Sequence, residues 1–129
     1  RISAAGSFVW ARRYGGAGNE YGYRVASFQD GRVAVAGAFT ADFDMNGHAL
    51  AFEGESSDRF FAVLAAASGN ATYAARVGSP VIEYGFSWAA GFDDQLYGGG
   101  GFQDVGSFLG KTLTSAGSSD AYGFVVALP

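Results

Sequence analysis

The stretch DGRVAVAGAF, residues Asp30–Phe39, combines a tight turn with a β-strand. Asp-Gly is a strong turn signal, and the small and branched side chains after it are typical of a strand buried on both faces. About 63 residues later the chain returns to this pattern as DDQLYGGGGF, residues Asp93–Phe102, which again ends in Gly-x-Phe. The two segments therefore predict equivalent strands in a repeated unit.

The match extends along the whole chain when one half is shifted onto the other. The triplet Glu20-Tyr21-Gly22 falls on Glu83-Tyr84-Gly85. The other matched pairs include Gly6 and Gly69, Arg13 and Arg76, Gly15 and Gly78, Gly47 and Gly110, Leu50 and Leu113, Phe61 and Phe124, and Val63 and Val126. The segments Ser56-Ser57-Asp58 and Ser118-Ser119-Asp120 match with a shift that is one residue shorter, which predicts a single-residue insertion near Tyr122-Gly123. Self-similarity at a fixed period indicates a tandem repeat with units 1–66 and 67–129.

Each unit predicts four strands and a short hairpin. In the first unit the predicted strands are Phe8–Tyr14, Tyr21–Phe28, Arg32–Phe39 and Phe60–Ala65. In the second unit they are Ala71–Val77, Tyr84–Phe92, Gln95–Phe102 and Tyr122–Leu128. The hairpins are predicted between the third and fourth strands, near Ala49–Phe52 and Thr112–Ser115.

Four strands per repeat, with no helical periodicity, predict an all-β fold of two tandem four-stranded antiparallel blades of a β-propeller. Propellers close with roughly four to eight blades, so two blades would form part of a larger array or of a ring of identical subunits. A β-sandwich or a β-solenoid built from the same strands is the alternative.

The composition of the 129 residues supports an all-β fold and excludes several classes of function. With 21 Gly, 12 Phe and 7 Tyr against 2 Pro, the chain favours tight turns and pleated strands. A net charge of −4 with only 8 Lys and Arg argues against a nucleic-acid partner. The absence of Cys removes disulfides and thiolate metal sites. No apolar run approaches the roughly 20 residues of a membrane-spanning helix.

Three runs of the sequence resemble bacterial β-propeller repeats of the SBBP type. They are GSFVWARRYGG (Gly6–Gly16) followed by NEYG (Asn19–Gly22), then Asp30–Phe39, and Leu113–Tyr122 in the second unit. Such repeats occur in long secreted or cell-surface proteins, notably of myxobacteria. The resemblance implies an extracellular or cell-surface scaffold or binding role, and it carries no catalytic residues.

One motif has the spacing of a metal site: DFDMNG, residues Asp42–Gly47. Its predicted ligands are Asp42, Asp44, Asn46 and Glu53. Oxygen-bearing side chains at this spacing are those of a calcium-binding EF-hand loop, in which Ca²⁺ takes about six to eight oxygens. An EF-hand needs a helix on each side, whereas both flanks here read as strands. The other interpretation is an acidic hairpin loop in which Asn46-Gly47 forms the turn. No other cofactor is predicted.

The remaining polar and aromatic candidates are predicted to be structural. His48 follows a turn and is expected to face the solvent, because no partners for a catalytic triad are designated. Gly98–Gly101 aligns with a strand, which favours close backbone packing over a phosphate-binding loop. The carboxylates expected to bond backbone amides are Glu20, Glu83, Asp30, Asp58, Asp93 and Asp120. Trp10 and Trp88 are expected in the core, with stacking on sugars as the alternative.

The function predicted from the sequence is that of a non-catalytic, secreted or cell-surface β-propeller module. It would act as a structural scaffold or as a protein or glycan interaction surface. Its expected partners are neighbouring blades or identical subunits, with a glycan or a surface protein as a further candidate. A sugar-binding lectin formed by ring oligomerisation is the alternative function. Since nothing pairs a nucleophile with a base, no enzyme is predicted.

Overall fold

A computed structural model describes residues 2–54, 56–78, 83–91 and 94–128, with the side chains of residues 83–86 left out. In these residues the chain forms eleven strands and no helix. The strands are β1 (Glu20–Ser27), β2 (Val33–Phe39), β3 (Phe43–Asp44), β4 (Ala49–Leu50), β5 (Asp58–Leu64), β6 (Ala71–Gly78), β7 (Glu83–Ala90), β8 (Gln95–Phe102), β9 (Val105–Phe108), β10 (Lys111–Thr114) and β11 (Asp120–Ala127).

The strands form three antiparallel sheets. The first sheet has six strands in the order β1-β2-β5-β6-β9-β10, the second has three in the order β11-β8-β7, and β3 pairs only with β4. β9 joins the first sheet through two residue pairs at the end of β6, Val77 with Phe108 and Gly78 with Ser107. Within the described residues none of these sheets closes on itself. The prediction of an all-β fold is therefore confirmed, whereas a β-propeller is not shown.

The predicted grouping of strands is wrong for the first unit. Residues 9–14 form no strand, and Phe8 makes a single bridge to Ile2. The first four strands of the first sheet are instead β1, β2, β5 and β6, and β6 comes from the second repeat unit. The physical reason is visible in β6, which pairs with the last strand of the unit before it. The described chain holds no such preceding strand for residues 8–14.

The other predicted strands form close to their expected bounds. Gln95–Phe102 is β8 without any change, and the two predicted hairpins form as β3–β4 and β9–β10. Phe92, the last residue of one predicted strand, lies outside the described residues. The second predicted unit contributes three strands to its own sheet, β7, β8 and β11, rather than four.

Both repeated Glu-Tyr-Gly triplets lie at a β-bulge. The register of β1 on β2 shifts between Gly22 and Arg24, and that of β7 on β8 shifts between Tyr84 and Phe86. A bulge adds one unpaired residue and increases the local twist of the strand. The residue left out of the pairing is Tyr23 in β1 and Gly85, the counterpart of Gly22, in β7, so the two bulges lie one residue apart in the repeat. Both strands therefore bend near the same point of the unit.

The strand registers also show where the one-residue offset between the two repeat units lies. β5 pairs with β2 so that Leu64 lies opposite Val33, and β11 pairs with β8 so that Val126 lies opposite Leu96. Because Val33 and Leu96 are repeat equivalents, so are Leu64 and Val126. The same register continues through Asp120, so the offset lies before β11 and the insertion predicted near Tyr122-Gly123 is wrong.

Two apolar clusters hold the structure together. The first lies between the two large sheets and combines Phe61 and Val63 of β5 with Leu96 of β8 and Tyr122 of β11. The second covers the opposite face of the first sheet and is built around Phe39, with Trp10 and Tyr14 packed against it from outside the sheet. Residues of β5 therefore alternate between the two clusters, as the period of two in a strand requires.

Candidate functional site

The acidic motif folds as a β-hairpin. Asn46 and Gly47 have φ values of 56° and 88°, which places both central residues in the left-handed region of a type I′ turn. Met45 and His48 close the turn through hydrogen bonds between their backbones, at 3.0 and 3.4 Å. The interpretation of Asn46-Gly47 as a hairpin turn is thus confirmed. His48 lies half-buried, directly after the turn.

Each predicted calcium ligand makes its own separate contact. Asp42 Oδ1 accepts a hydrogen bond from the Phe52 amide at 2.7 Å, and Asp44 Oδ1 accepts one from the Gly47 amide at 2.8 Å. Asn46 Oδ1 accepts a hydrogen bond from the Ala71 amide at 3.1 Å. Glu53 forms an ion pair with Arg76, with Oε2 and Nη2 2.5 Å apart.

These contacts join the four residues to four different partners. In the part of the chain that the structure describes, no three His, Cys, Asp or Glu side chains are grouped so that they could hold a metal ion. A shallow cavity of about 310 Å³ beside the hairpin is lined by Asp42, Phe43, Asp44, Ala49, Leu50 and Ala51. In this structure the oxygens of the four predicted residues fix the hairpin and pair with Arg76, and calcium binding by them stays a prediction.

A buried charged cluster, which sequence reasoning missed, links β5 to β6. Asp58 is fully buried, its Oδ2 accepts a hydrogen bond from the Glu53 amide at 2.7 Å, and Arg76 Nη1 lies 3.6 Å from the same oxygen. Burial raises the pKa of Asp58, while the Glu53 hydrogen bond and the Arg76 charge act in the opposite direction. The repeated Asp and Arg positions were visible in the sequence, but their pairing across two units was not.

Asp30 and Asp120 also have structural roles, as predicted. Asp30 Oδ1 accepts a hydrogen bond from the Arg32 amide at 3.0 Å, and this bond is the largest cause that lowers the pKa of Asp30. Asp120 Oδ2 accepts a hydrogen bond from the Ala116 amide at 2.8 Å. Asp93 lies outside the described residues.

The glutamates at the shared repeat position are only partly described. The carboxylate of Glu20 lies against Gly15, where an added Cβ would be 2.7 Å from Oε2. The side chain of Glu83, its counterpart, is outside the description.

The tryptophans and the Gly-rich strand pack as predicted. Trp88 packs on the cluster between the sheets, with its ring centroid 6.0 Å from that of Phe61. Gly98 lies under the Phe124 ring, and a Cβ added there would be 2.4 Å from that ring. The absence of a side chain at Gly98 therefore lets Phe124 lie against the backbone of β8.

Residues 8–14, the N-terminal segment, are held by side chains rather than by strand pairing. Trp10 Nε1 donates a hydrogen bond to the Ala66 carbonyl at 2.9 Å, and Arg12 Nε donates to the Ser68 carbonyl at 2.9 Å. The Tyr14 hydroxyl donates to the Gly69 carbonyl. Burial is the main cause that raises the pKa of Tyr14. The segment thus lies across the β5–β6 turn, and residues 9–14 belong to no strand.

No protein-family model, no curated protein and no solved structure matches this chain. Among the described residues there is no helix with the length and apolar character needed to cross a membrane.

Proposed function

We propose that the chain is a non-catalytic β-propeller module, secreted or at the cell surface, that acts as a structural scaffold and presents an interaction surface. One observation carries this proposal: two sheets with equivalent strands, each with a bulge in its Glu-Tyr-Gly strand, pack face to face over one apolar cluster. β1 and β7, which are repeat equivalents, also lie against each other. Radial packing of repeated sheets is the arrangement of a propeller.

The face of the second sheet that does not contact the first sheet leaves apolar side chains exposed, and this supports further sheets in the assembly. On the equivalent face of the first sheet, Ala34 and Val63 lie in the cluster between the two sheets and are 0 and 1% exposed. On the second sheet Tyr97 and Val125 take those positions and are 41 and 57% exposed. Repeat units that cannot bury their apolar faces alone are stabilised by stacking on neighbours. We therefore expect this face to be covered in the functional assembly.

The chemistry of the charged residues supports a non-catalytic role. The buried Asp58 is held by Arg76 and by the Glu53 amide, all within the strand framework. The carboxylates of the hairpin accept backbone amide hydrogen bonds. Groups engaged in this way fix loops and strands, whereas a general acid or base must reach a substrate.

Chains that contain two, three and four tandem copies of residues 1–129 test the propeller proposal. We expect the chain of three or of four copies to fold as a monomeric ring, because about six or eight blades fall within the range that closes. Electron microscopy of single particles would show a disc with six or eight lobes. Its radius of gyration would be that of a compact particle.

The two-copy chain provides the matched control, since about four blades of this width lie at the lower limit of closure. An extended particle whose radius of gyration rises steadily from two to four copies would contradict the propeller. Such a result would mean that each pair of units folds as an independent sandwich.

A sugar-binding lectin is the second candidate, and one surface favours it. Tyr21 and Tyr23 on β1 are each 47% exposed, and their rings stack with centroids 6.1 Å apart and planes 10° apart. A shallow cavity of about 290 Å³ beside them is lined by Gly22, Tyr23, Arg24, Val25 and Val35. Exposed aromatic faces of this kind stack on sugar rings. Saccharide binding on a glycan array that disappears in the Tyr21→Ala and Tyr23→Ala variants would favour the lectin over the scaffold.

A further inference from the structure

β6 shows how the first strand of a repeat unit is used. It pairs antiparallel with β5, the last strand of the unit before it. The N-terminal segment is the repeat equivalent of β6, and β11 is the equivalent of β5. Within the described residues β11 pairs only with β8, and the N-terminal segment pairs with no strand beyond the single bridge at Phe8. Among the described residues, one edge of β11 and the N-terminal segment therefore have no partner strand.

We propose that the N-terminal segment of one copy pairs with the free edge of β11 in a second copy and becomes the fourth strand of the second sheet. Identical chains would be joined head to tail by this contact. The inference rests on the proposed function, because it names the partner of the same repeated scaffold. Such heterologous contacts generate a closed ring when the rotation between copies permits it.

The β5–β6 register gives the expected pairing in residue detail. In that template Phe60 lies opposite Arg76, Phe61 opposite Ala75, and Val63 opposite Tyr73. The equivalent pairs, with the β11 residue from the second copy given first, are Tyr122 with Arg13, Gly123 with Arg12, and Val125 with Trp10.

The faces of the N-terminal segment agree with this register. Trp10 and Tyr14 already pack on the outer cluster of their own first sheet. Tyr73, the equivalent of Trp10, packs in the same way on the cluster between the two sheets. The segment thus lies where the outer strand of a preceding sheet would lie, although that sheet is contributed by no part of the described chain.

A charge pair completes the template. Arg76 approaches Asp58, whose Oδ2 accepts a backbone amide hydrogen bond from a residue shortly before it. Asp120 has the same arrangement, with the Ala116 amide as donor, and Arg13 is the exposed equivalent of Arg76. Pairing of the two copies would bring Arg13 to Asp120. A half-buried carboxylate and an exposed guanidinium would then gain opposite charges as neighbours.

Side-chain size is complementary as well. In the template the Phe61 and Tyr73 rings stack with centroids 5.5 Å apart. At the proposed contact Gly123 stands where Phe61 stands, and the larger Trp10 stands in the place of Tyr73. A Cβ added at Gly123 would have no atom nearer than the Gly98 carbonyl oxygen at 3.8 Å. The edge of β11 therefore offers room for an indole.

The sequence of β11 leaves its edge open to strand addition. Edge strands are usually protected by charged residues, proline or bulges. DAYGFVVA, residues 120–127, has one charge at its first residue, no proline, and an uninterrupted register on β8. The N-terminal segment contains the complementary residue types, with Phe8 72% and Val9 43% exposed. Among the described residues, one edge of β11 and the β-prone N-terminal segment therefore lack a neighbouring strand.

Disulfide formation between single-cysteine variants tests the pairing directly, because the native chain has no cysteine. We expect a mixture of Arg12→Cys and Gly123→Cys chains to form the mixed disulfide, since opposed residues of antiparallel strands lie at bridging distance. A size tag on one chain separates the mixed product from either homodimer. The control replaces Gly123→Cys with Val105→Cys, an exposed position on another strand. The expected yield of the mixed disulfide is about tenfold above that of the control pair.

Charge reversal provides the second arm, on cysteine-free chains followed by sedimentation. Arg13→Glu and Asp120→Arg should each weaken association about tenfold, and the double variant should restore it, because the opposite charges are then exchanged. Far-ultraviolet circular dichroism checks that each variant is folded, and the restored association of the double variant cannot arise from misfolding.

Two results would overturn the inference. One is a yield of mixed disulfide no higher than that of the control pair, and the other is an association constant that neither single charge reversal changes. The tandem-copy experiment separates this outcome from failure of the proposed function. A specific disulfide with tandem chains that remain open supports the strand pairing and contradicts the propeller. A closed ring without the disulfide supports the propeller and contradicts the pairing.

Discussion

The Gly37→Ala variant is expected to lose most or all of its folded population. Gly37 lies in β2 opposite the bulge of β1, and a Cβ at this position would be 1.7 Å from the Tyr21 carbonyl oxygen and 2.9 Å from the Phe60 ring. Because the nearest atom belongs to the backbone, β1 would have to separate from β2. We expect the free energy of unfolding to fall by about 4 kcal/mol or more, which is exceptional for one substitution. Urea unfolding followed by tryptophan fluorescence measures it.

Gly117→Ala is the matched control for this prediction. A Cβ added at Gly117 meets no atom within 4 Å, so its effect should stay within about 0.5 kcal/mol. Equal stability of the two alanine variants would show that β1 and β2 do not approach each other as closely as described.

The second large effect is expected for Phe61→Ala. Phe61 is fully buried between the sheets, and its ring lies 5.5 Å from Tyr73, 6.0 Å from Trp88 and 5.8 Å from Phe124 between centroids. These neighbours belong to three strands in both large sheets. Truncation leaves a cavity at the centre of their contact, so we expect a loss of about 3–5 kcal/mol in the free energy of unfolding.

Val25→Ala, at a position in β1 that is 72% exposed, is the control for loss of apolar volume at the surface. Its midpoint in urea should be close to that of the native chain. If Phe61→Ala unfolds at the same urea concentration as Val25→Ala, the two large sheets do not share the cluster described above.

Local pattern was sufficient to predict most strands and turns. The Gln95–Phe102 strand could be predicted to the residue because it lies between a turn and a repeated Gly-x-Phe ending. Asn46-Gly47 could be predicted as a turn because few residue pairs other than Asn-Gly adopt two positive φ values readily. Both features depend on residues close together in the chain.

Which strand pairs with which, in contrast, depends on residues that are far apart in the chain. Phe8–Tyr14 has the composition of a strand as good as that of β6, yet only β6 pairs as one, because β5 is present beside it. The one-residue offset escaped prediction for a related reason. Phe61 matches Phe124 by residue type, but the register on β2 and β8 makes Phe60 the counterpart of Tyr122. Facing direction is fixed by the partner strand and cannot be read from one strand alone.

In the candidate site, too, local pattern was sufficient for the turn but not for contacts between distant residues. Spacing alone suggested that Asp42, Asp44, Asn46 and Glu53 converge on one point, as they do in a loop between two helices. In the structure Asp42 and Asp44 accept backbone amide hydrogen bonds of the hairpin, and Glu53 pairs with Arg76. Calcium binding by these residues stays a prediction. The cluster of Asp58 with Arg76 needed knowledge that β5 and β6 pair.

The displacement of β6 from its own unit has a consequence for growth by gene duplication. Each added unit would supply the strand that completes the sheet before it and a new sheet that awaits the strand of the next unit. However many copies are inserted, an array of this kind carries one unpaired edge of the β11 type at its end and one segment without a partner strand at its start. Lengthening such an array therefore keeps the number of open β11-type edges at one, and joining its two ends pairs that edge as well.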